Sequence, residues 1–285
     1  MDIRIRPISP ADAKICAEIC YEAFRTIAAQ HNFPSEIPSL EVANDLLSDL
    51  VTNPGFYGIV AELDGRIAGS AFVDERCPIA GVCAVSVNPA VQNRAIGRHL
   101  MQQVLERVAQ RCFPGVRLVQ TAYHTRSLSL YTKLGFEPRE PLSIMQGPSL
   151  KRQLPGSAVR TATDADVDAC NQVCLKVHGH EREGEVREAL QQGNAAVVAH
   201  RGRITGYTTG CGFFGHAVGE TNEDLKALIG AAPEFPGVGF LLPTRNGELL
   251  RWCLQHGLRV VQPMTLMSIG LYNEPMGAFL PSIIY

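Results

Sequence analysis

Residues 81–110, GVCAVSVNPAVQNRAIGRHLMQQVLERVAQ, change their hydrophobic period part-way, and the first half of the chain is arranged around that change. Residues 82–87 form a short apolar run with Ser86 inside it, the pattern of a buried strand. Asn88-Pro89 breaks the run, because proline cannot continue a ladder and biases its predecessor away from helix. From Ile96 onward Leu100, Val104 and Val108 recur every four residues, with Met101 and Leu105 beside them, which predicts a helix with one apolar face. Between the two lies Gln92-Asn93-Arg94-Ala95-Ile96-Gly97, a loop that turns straight into a helix N-terminus. First-turn N–H groups lack partners and the helix dipole adds partial positive charge, so such a turn can hold a phosphate. Gly97 keeps side-chain bulk off the backbone, and Arg94 and Arg98 can add charge-assisted contacts. The same residues also fit an ordinary strand–helix junction with two solvated arginines.

The pattern on either side predicts further elements. Residues 3–6 alternate as a strand, Pro7 ends it, and Ser9 caps a helix whose apolar face is Ile15, Ile19, Cys20 and Phe24. Residues 29–38, with His31, Pro34 and Pro38, predict a loop, and residues 39–51 a second helix. Two strands, 56–62 and 66–74, flank Leu63-Asp64-Gly65, where Asp-Gly is a strong hairpin signal. After the central unit come a strand at 116–122, a helix at 127–134 stopped by Gly135, and a strand at 136–144. The order β–α–α–β–β–β–α–β–α–β predicts an α/β (α+β mixed) fold, a mostly antiparallel sheet flanked by helices. No doubly wound pattern and no glycine-rich dinucleotide turn follows the first strand.

The second half repeats the first. Residues 6–12, RPISPAD, match 160–166, RTATDAD, and Cys16 and Cys20 fall on Cys170 and Cys174 at the same offset. DGRIAG at 64–69 matches RGRITG at 201–206, and LYTKLGF at 130–136 matches WCLQHGL at 252–258. Three matches in one order predict two copies of one domain, residues 1–150 and 157–285, linked by a segment carrying Pro155-Gly156. The second copy has no counterpart of residues 92–97. Glu220, Glu223 and Asp224 stand at its helix start, where they would repel a phosphate.

Composition narrows the class rather than changing it. With 46% hydrophobic and 19% charged residues over 285 positions, the chain has the composition of one large or two ordinary globular domains. A net charge of −2 gives no reason to expect a nucleic-acid partner. No apolar run approaches the roughly 20 residues of a membrane span, and no apolar signal core follows Met1, so a cytoplasmic location is expected. Nine cysteines without CxxC pairs predict free, buried thiols and no metal site. The apolar residues of 271–285 predict a tail that packs on one of the domains or at a homodimer interface.

Three features together resemble the GNAT N-acetyltransferase superfamily: the strand CAVSV, the loop QNRAIG opening a helix, and SLSLYTKLGF. In that family the loop reads Gln/Arg-x-x-Gly-x-Gly/Ala; here Gln92 and Gly97 match and Ala95 stands at the first glycine. The resemblance implies acetyl-CoA as cosubstrate, its phosphates lined by Arg94, Ala95, Ile96, Gly97 and Arg98, with Gln92 and Asn93 in the same binding set. It implies pantetheine along Val85, Ser86 and Val87, with the Val87 N–H polarising the thioester carbonyl. The second motif, Asn-x-x-Ala-x-x-Leu-Tyr-x-x-x-Gly-Phe, is matched at Leu130, Tyr131, Gly135 and Phe136, while His124 and Ser127 replace its asparagine and alanine. His124 and Ser127 then join the cosubstrate set, and Tyr131 is the general acid for the departing sulfur. Tyr131 also fits a core tyrosine on a helix face. Glu75 ranks first as general base and Asp74 second, each also readable as a solvated carboxylate. The expected activity is acyl-CoA-dependent transfer to a small-molecule or peptide amine in a ternary complex. The second copy, with Cys253 at the tyrosine position, would not bind CoA. A catalytically silent acyl-CoA-binding module and transfer to oxygen or thiol are the competing expectations.

Overall fold

The computed structural model describes residues 3–284. The first half runs β1 (Ile3–Pro7), α1 (Ala13–Gln30), α2 (Leu40–Thr52), β2 (Phe56–Leu63), β3 (Arg66–Asp74), β4 (Ala80–Val87), α3 (Ile96–Gln110), β5 (Gly115–Thr121), α4 (Thr125–Lys133) and β6 (Glu137–Gln146). The second runs β7 (Ala158–Thr161), α5 (Val167–His178), α6 (Glu183–Gln191), β8 (Ala196–His200), β9 (Arg203–Thr208), β10 (Ala217–Gly219), α7 (Asn222–Ala231), β11 (Phe240–Pro243), α8 (Gly247–Gln255), β12 (Arg259–Gly270) and β13 (Ala278–Leu280).

Local chemistry explains why the two halves start alike. Asp12 closes a capping box on Ser9, and Arg6 grips its carboxylate at 2.7 and 2.9 Å. Asp166 does the same for Thr163, held by Arg160 at 2.7 Å through both guanidinium nitrogens. The β2–β3 hairpin turns through Asp64 and Gly65 at φ 50° and 76°, and the β8–β9 hairpin through Arg201 and Gly202 at φ 50° and 80°. Two successive positive φ values match the right-handed strand twist, which is why glycine stands second in both turns.

The sheets do not divide as the sequence repeat does. One has eight strands in the order β1-β2-β3-β4-β5-β12-β6-β11, the other five in the order β13-β10-β9-β8-β7. β12 lies between β5 and β6 and is antiparallel to both, with Leu266 opposite Val119 and Met264 opposite Leu142. A strand of the second half therefore sits inside the first half's sheet. α3 packs Leu100, Met101 and Val104 on one face of that sheet, and α1 and α2 pack Cys16, Cys20 and Leu47 with Phe72 on the other. An ion cluster also ties the halves together, with Arg76 held by Asp74 at 2.5 Å and also bound to Glu188 of α6.

The tail packs within the chain. β13 pairs with β10, and Ile283 N–H donates to the Phe213 carbonyl at 2.9 Å. A Cβ on Gly81 would lie 2.1 Å from the Ile284 carbonyl, so β4 must be glycine where the tail crosses it. Met1 and Tyr285 lie outside the described residues. Among those described, no helix is long and apolar enough to cross a membrane.

Candidate active site

β4 and β5 are parallel neighbours only from Ala80–Val116 to Val82–Leu118, and then part. The cause lies in β4. Between its pairs with Phe72 and Ser70 the register shifts, so Ala84 and Val85 together oppose the single residue Ala71, with Ala84 at φ 47°. A bulge of this kind bends its strand and raises the local twist. The parting strands open a cavity of about 540 Å³.

On one side of the cavity is the N-terminus of α3. Asn93 and Ala95 adopt left-handed φ values of 64° and 62°, and Ala95 is the N-cap. Arg126 donates to the side chains of Gln92 at 2.8 Å and Asn93 at 3.3 Å, while Gln92 donates to the Val87 carbonyl at 3.2 Å. The loop is thus tied to both β4 and α4, and Ile96, Gly97 and Arg98, the first turn of α3, line the cavity. A Cβ at Gly97 would meet only Leu130 at 3.5 Å and Val87 at 3.7 Å, ordinary contacts, so the chain itself has room there. Beyond the loop a second hollow of about 320 Å³ is lined by Arg98, Arg126 and Lys133.

α4 presents the other wall. His124, Ser127 and Tyr131 fall on one face, and Ser127 Oγ lies 2.8 Å from His124 Nδ1. Burial pushes the Tyr131 phenol up to about 12, with the Ser127 hydroxyl acting against it. Burial, then the nearby Arg126 and His31 charges, push His124 down to about 4. At neutral pH the pair is a neutral imidazole and a protonated phenol.

Residues named from the sequence converge here. Val85, Ser86, Val87, Gln92, Asn93, Ala95, Ile96, Gly97, Arg98, His124, Ser127 and Tyr131 all line the cavity. Ser86 is buried, its hydroxyl 3.3 Å from that of Ser70. Arg94 is exposed and is not part of the lining. Glu75 must be corrected as a base: it is away from the cavity, and Arg107 takes both its oxygens at 2.7 and 2.9 Å. Asp74, ranked second, is likewise bound by Arg76. Cys83 borders the cavity with a buried thiol whose pKa is raised by desolvation, which disfavours the thiolate.

In α7 the equivalent helix start is filled from within. Asp224 accepts from Thr221 N–H at 2.9 Å and from the Thr221 hydroxyl at 2.8 Å. Glu220 is held by Arg203 and Lys176.

Residues 20–136 match the profile of the Acetyltransferase (GNAT) family. They are a GNAT-family acetyltransferase domain. Over 65 residues the chain is 40% identical to mycothiol acetyltransferase of Nocardia farcinica (strain IFM 10152), a match covering 23% of this chain and 22% of that relative. The chain thus aligns with less than a quarter of the curated relative's length. Its fold is similar to that of a Pyrococcus horikoshii protein at 17% identity (TM-score 0.73, 99% of this chain and 92% of that one). It is also similar to a GCN5-related N-acetyltransferase from Sphaerobacter thermophilus at 18% identity (TM-score 0.63, 95% and 96%). A tandem GNAT protein from the clavulanic acid biosynthesis pathway shares the fold at 14% identity (TM-score 0.57, 94% and 98%). The two helix-flanked sheets are those of a tandem GNAT fold.

Sequence reasoning missed two sets of contributors to this cavity, one on α4 and one in the second half. Arg126 looked like any exposed arginine near a helix start, and only the fold brings it to Gln92. Phe213, Met264 and Ile283 come from the second half, and no local pattern points them at a cavity in the first.

Proposed function

We propose that this protein is an acyl-CoA-dependent N-acyltransferase that moves acetyl from acetyl-CoA to a small-molecule or peptide amine within a ternary complex. The observation that carries this reading is the parted β4–β5 gap, with an open helix N-terminus on one side and a protonated tyrosine on the other. The residues fit the cosubstrate. The left-handed turn at Asn93 and Ala95 and the space over Gly97 leave backbone N–H groups for a pyrophosphate, and Arg98, Arg126 and Lys133 supply cations beyond it. The Val87 N–H polarises the thioester carbonyl. The neutral acceptor nitrogen forms the new C–N bond as the C–S bond breaks, Tyr131 gives its phenolic proton to the sulfur, and the proton shed by the nitrogen returns to the phenolate through water, leaving amide, thiol and the starting phenol. Ser127 and His124 hold that phenol in place. We assign cosubstrate binding to residues 1–150 and assign none to 157–285, where Asp224 occupies the helix start.

The near-complete burial of Tyr131, 8% exposed, favours a second reading as a silent acyl-CoA-binding module. Calorimetry and thiol release on three proteins separate the two. Wild type binds acetyl-CoA. Gly97→Glu, which places a carboxylate among the phosphate donors, abolishes binding with an unchanged melting transition. Tyr131→Phe keeps the affinity and loses about 10²–10⁴-fold in kcat, the range for one acid catalyst. An inactive wild type across an amine panel, with acetyl-CoA bound, supports the silent module. Absence of acetyl-CoA binding refutes both readings.

A further inference from the structure

The cavity has a second polar corner that the transfer chemistry does not use. Glu36, in the loop between α1 and α2, is 7% exposed and lines the cavity. Thr121, the last residue of β5, donates to Glu36 Oε1 at 3.1 Å, and the Gln262 amide of β12 donates to the same oxygen. Glu36 Oε2 has no hydrogen-bond partner. Neither has Gln262 Oε1, nor either amide atom of Gln120, although Gln262 is 1% and Gln120 6% exposed. Among the described residues no cationic side chain pairs with Glu36. The loop that carries it is pinned by Phe33, whose ring stacks on Tyr123 at 4.4 Å just beyond β5.

Buried polar groups are hydrogen-bonded as a rule, and a buried carboxylate without a cation is costly. Here one Glu36 oxygen is left open at the cavity wall, and Gln262, whose own oxygen is unpaired, backs it from the second half; Gln120, next to Thr121 on β5, projects from the other face of the sheet. That open oxygen matches a ligand cation with N–H donors. A nitrogen held against a carboxylate stays protonated and has no lone pair to attack with, so it is not the nitrogen that reacts.

We propose that Glu36, held in place by Gln262 and Thr121, binds a second, non-reacting cationic nitrogen of the acceptor, which makes the acceptor a small amine with two cationic centres. This rests on the acyltransferase reading for the identity of the reacting site. It gives the second half a part in substrate choice through Gln262, which orients Glu36.

The test is calorimetry on the full chain with diaminopropane, diaminobutane and diaminopentane, against butylamine as the singly charged control. Wild type binds at least one diamine about tenfold or more tightly than butylamine, the scale of one hydrogen-bonded charge. Glu36→Gln, close in shape, removes that preference, and Gln262→Leu reduces it, while both keep the acetyl-CoA affinity of wild type. Equal binding of diamines and butylamine by wild type, or no diamine binding at all, overturns the proposal without any variant. An unchanged preference in Glu36→Gln overturns it too. Titrating acetyl-CoA on the same samples keeps the outcomes apart, because its failure to bind refutes the acyltransferase reading while the diamine data still judge the subsite.

Discussion

Ala95 carries a backbone cost in the loop that opens α3. At φ 62° its Cβ crowds the following carbonyl, which costs an L-residue roughly 1–2 kcal/mol relative to glycine's freedom there. Ala95→Gly is expected to raise stability by about 0.5–1 kcal/mol, the released strain less the added freedom of the unfolded chain. Urea unfolding measures it, and a lower midpoint would show that the methyl is packed instead. Acetyl-CoA affinity should hold or rise. At this scale the sequence was informative where residue type and backbone need coincide. Gly97 and Tyr131 stood at spacings that their neighbours explain. Glu75 was misleading for a physical reason: a carboxylate at a strand end looks the same whether it faces a cleft or an arginine, and Arg107 is 32 residues away.

The N-cap of α4, His124, falls in one stripe with Ser127 and Tyr131 at i, i+3 and i+7. The stripe makes the helix pH-sensitive. An unfolded chain protonates His124 near the ordinary 6.5, but the fold holds it neutral down to about 4. Below pH 6.5 the unfolded state therefore binds more protons, so stability falls as pH falls from 6.5 towards 4. His216, pushed down to about 4 by burial, acts in the same direction. The urea midpoint of wild type should drop between pH 7 and pH 5, and His124→Asn should show a smaller drop. An equal drop would place the effect elsewhere. The helix was readable from its period, and the hairpins from their Asp-Gly and Arg-Gly turns. The bulge at Ala84 was not, because Val, Cys and Ala suit a regular strand as well as a bent one.

Across the whole molecule, β12 is the feature that matters most for the site. It borders β5, brings Gln262 to Glu36, and separates β5 from β6. Strand pairing between residues more than a hundred positions apart leaves no local trace, so the repeat gave two copies, residues 1–150 and 157–285, with no sign that β12 pairs in the first sheet. Residues 1–150 expressed alone lose β12 and expose two apolar strand edges, and are expected to aggregate; co-expression with 151–285 should restore a soluble, acetyl-CoA-binding complex, scored by size exclusion and calorimetry. A soluble, ligand-binding 1–150 fragment would show that the edge can close without it. The same strand also sets a timetable on the ribosome. β6 ends at residue 146 and β12 at residue 270, 124 positions later by subtraction. At roughly 5–20 residues per second, the nascent chain holds two unpaired edges for on the order of ten seconds. Slow codons or weak chaperone cover anywhere in that window would be felt in yield, even where every residue of the finished site is intact.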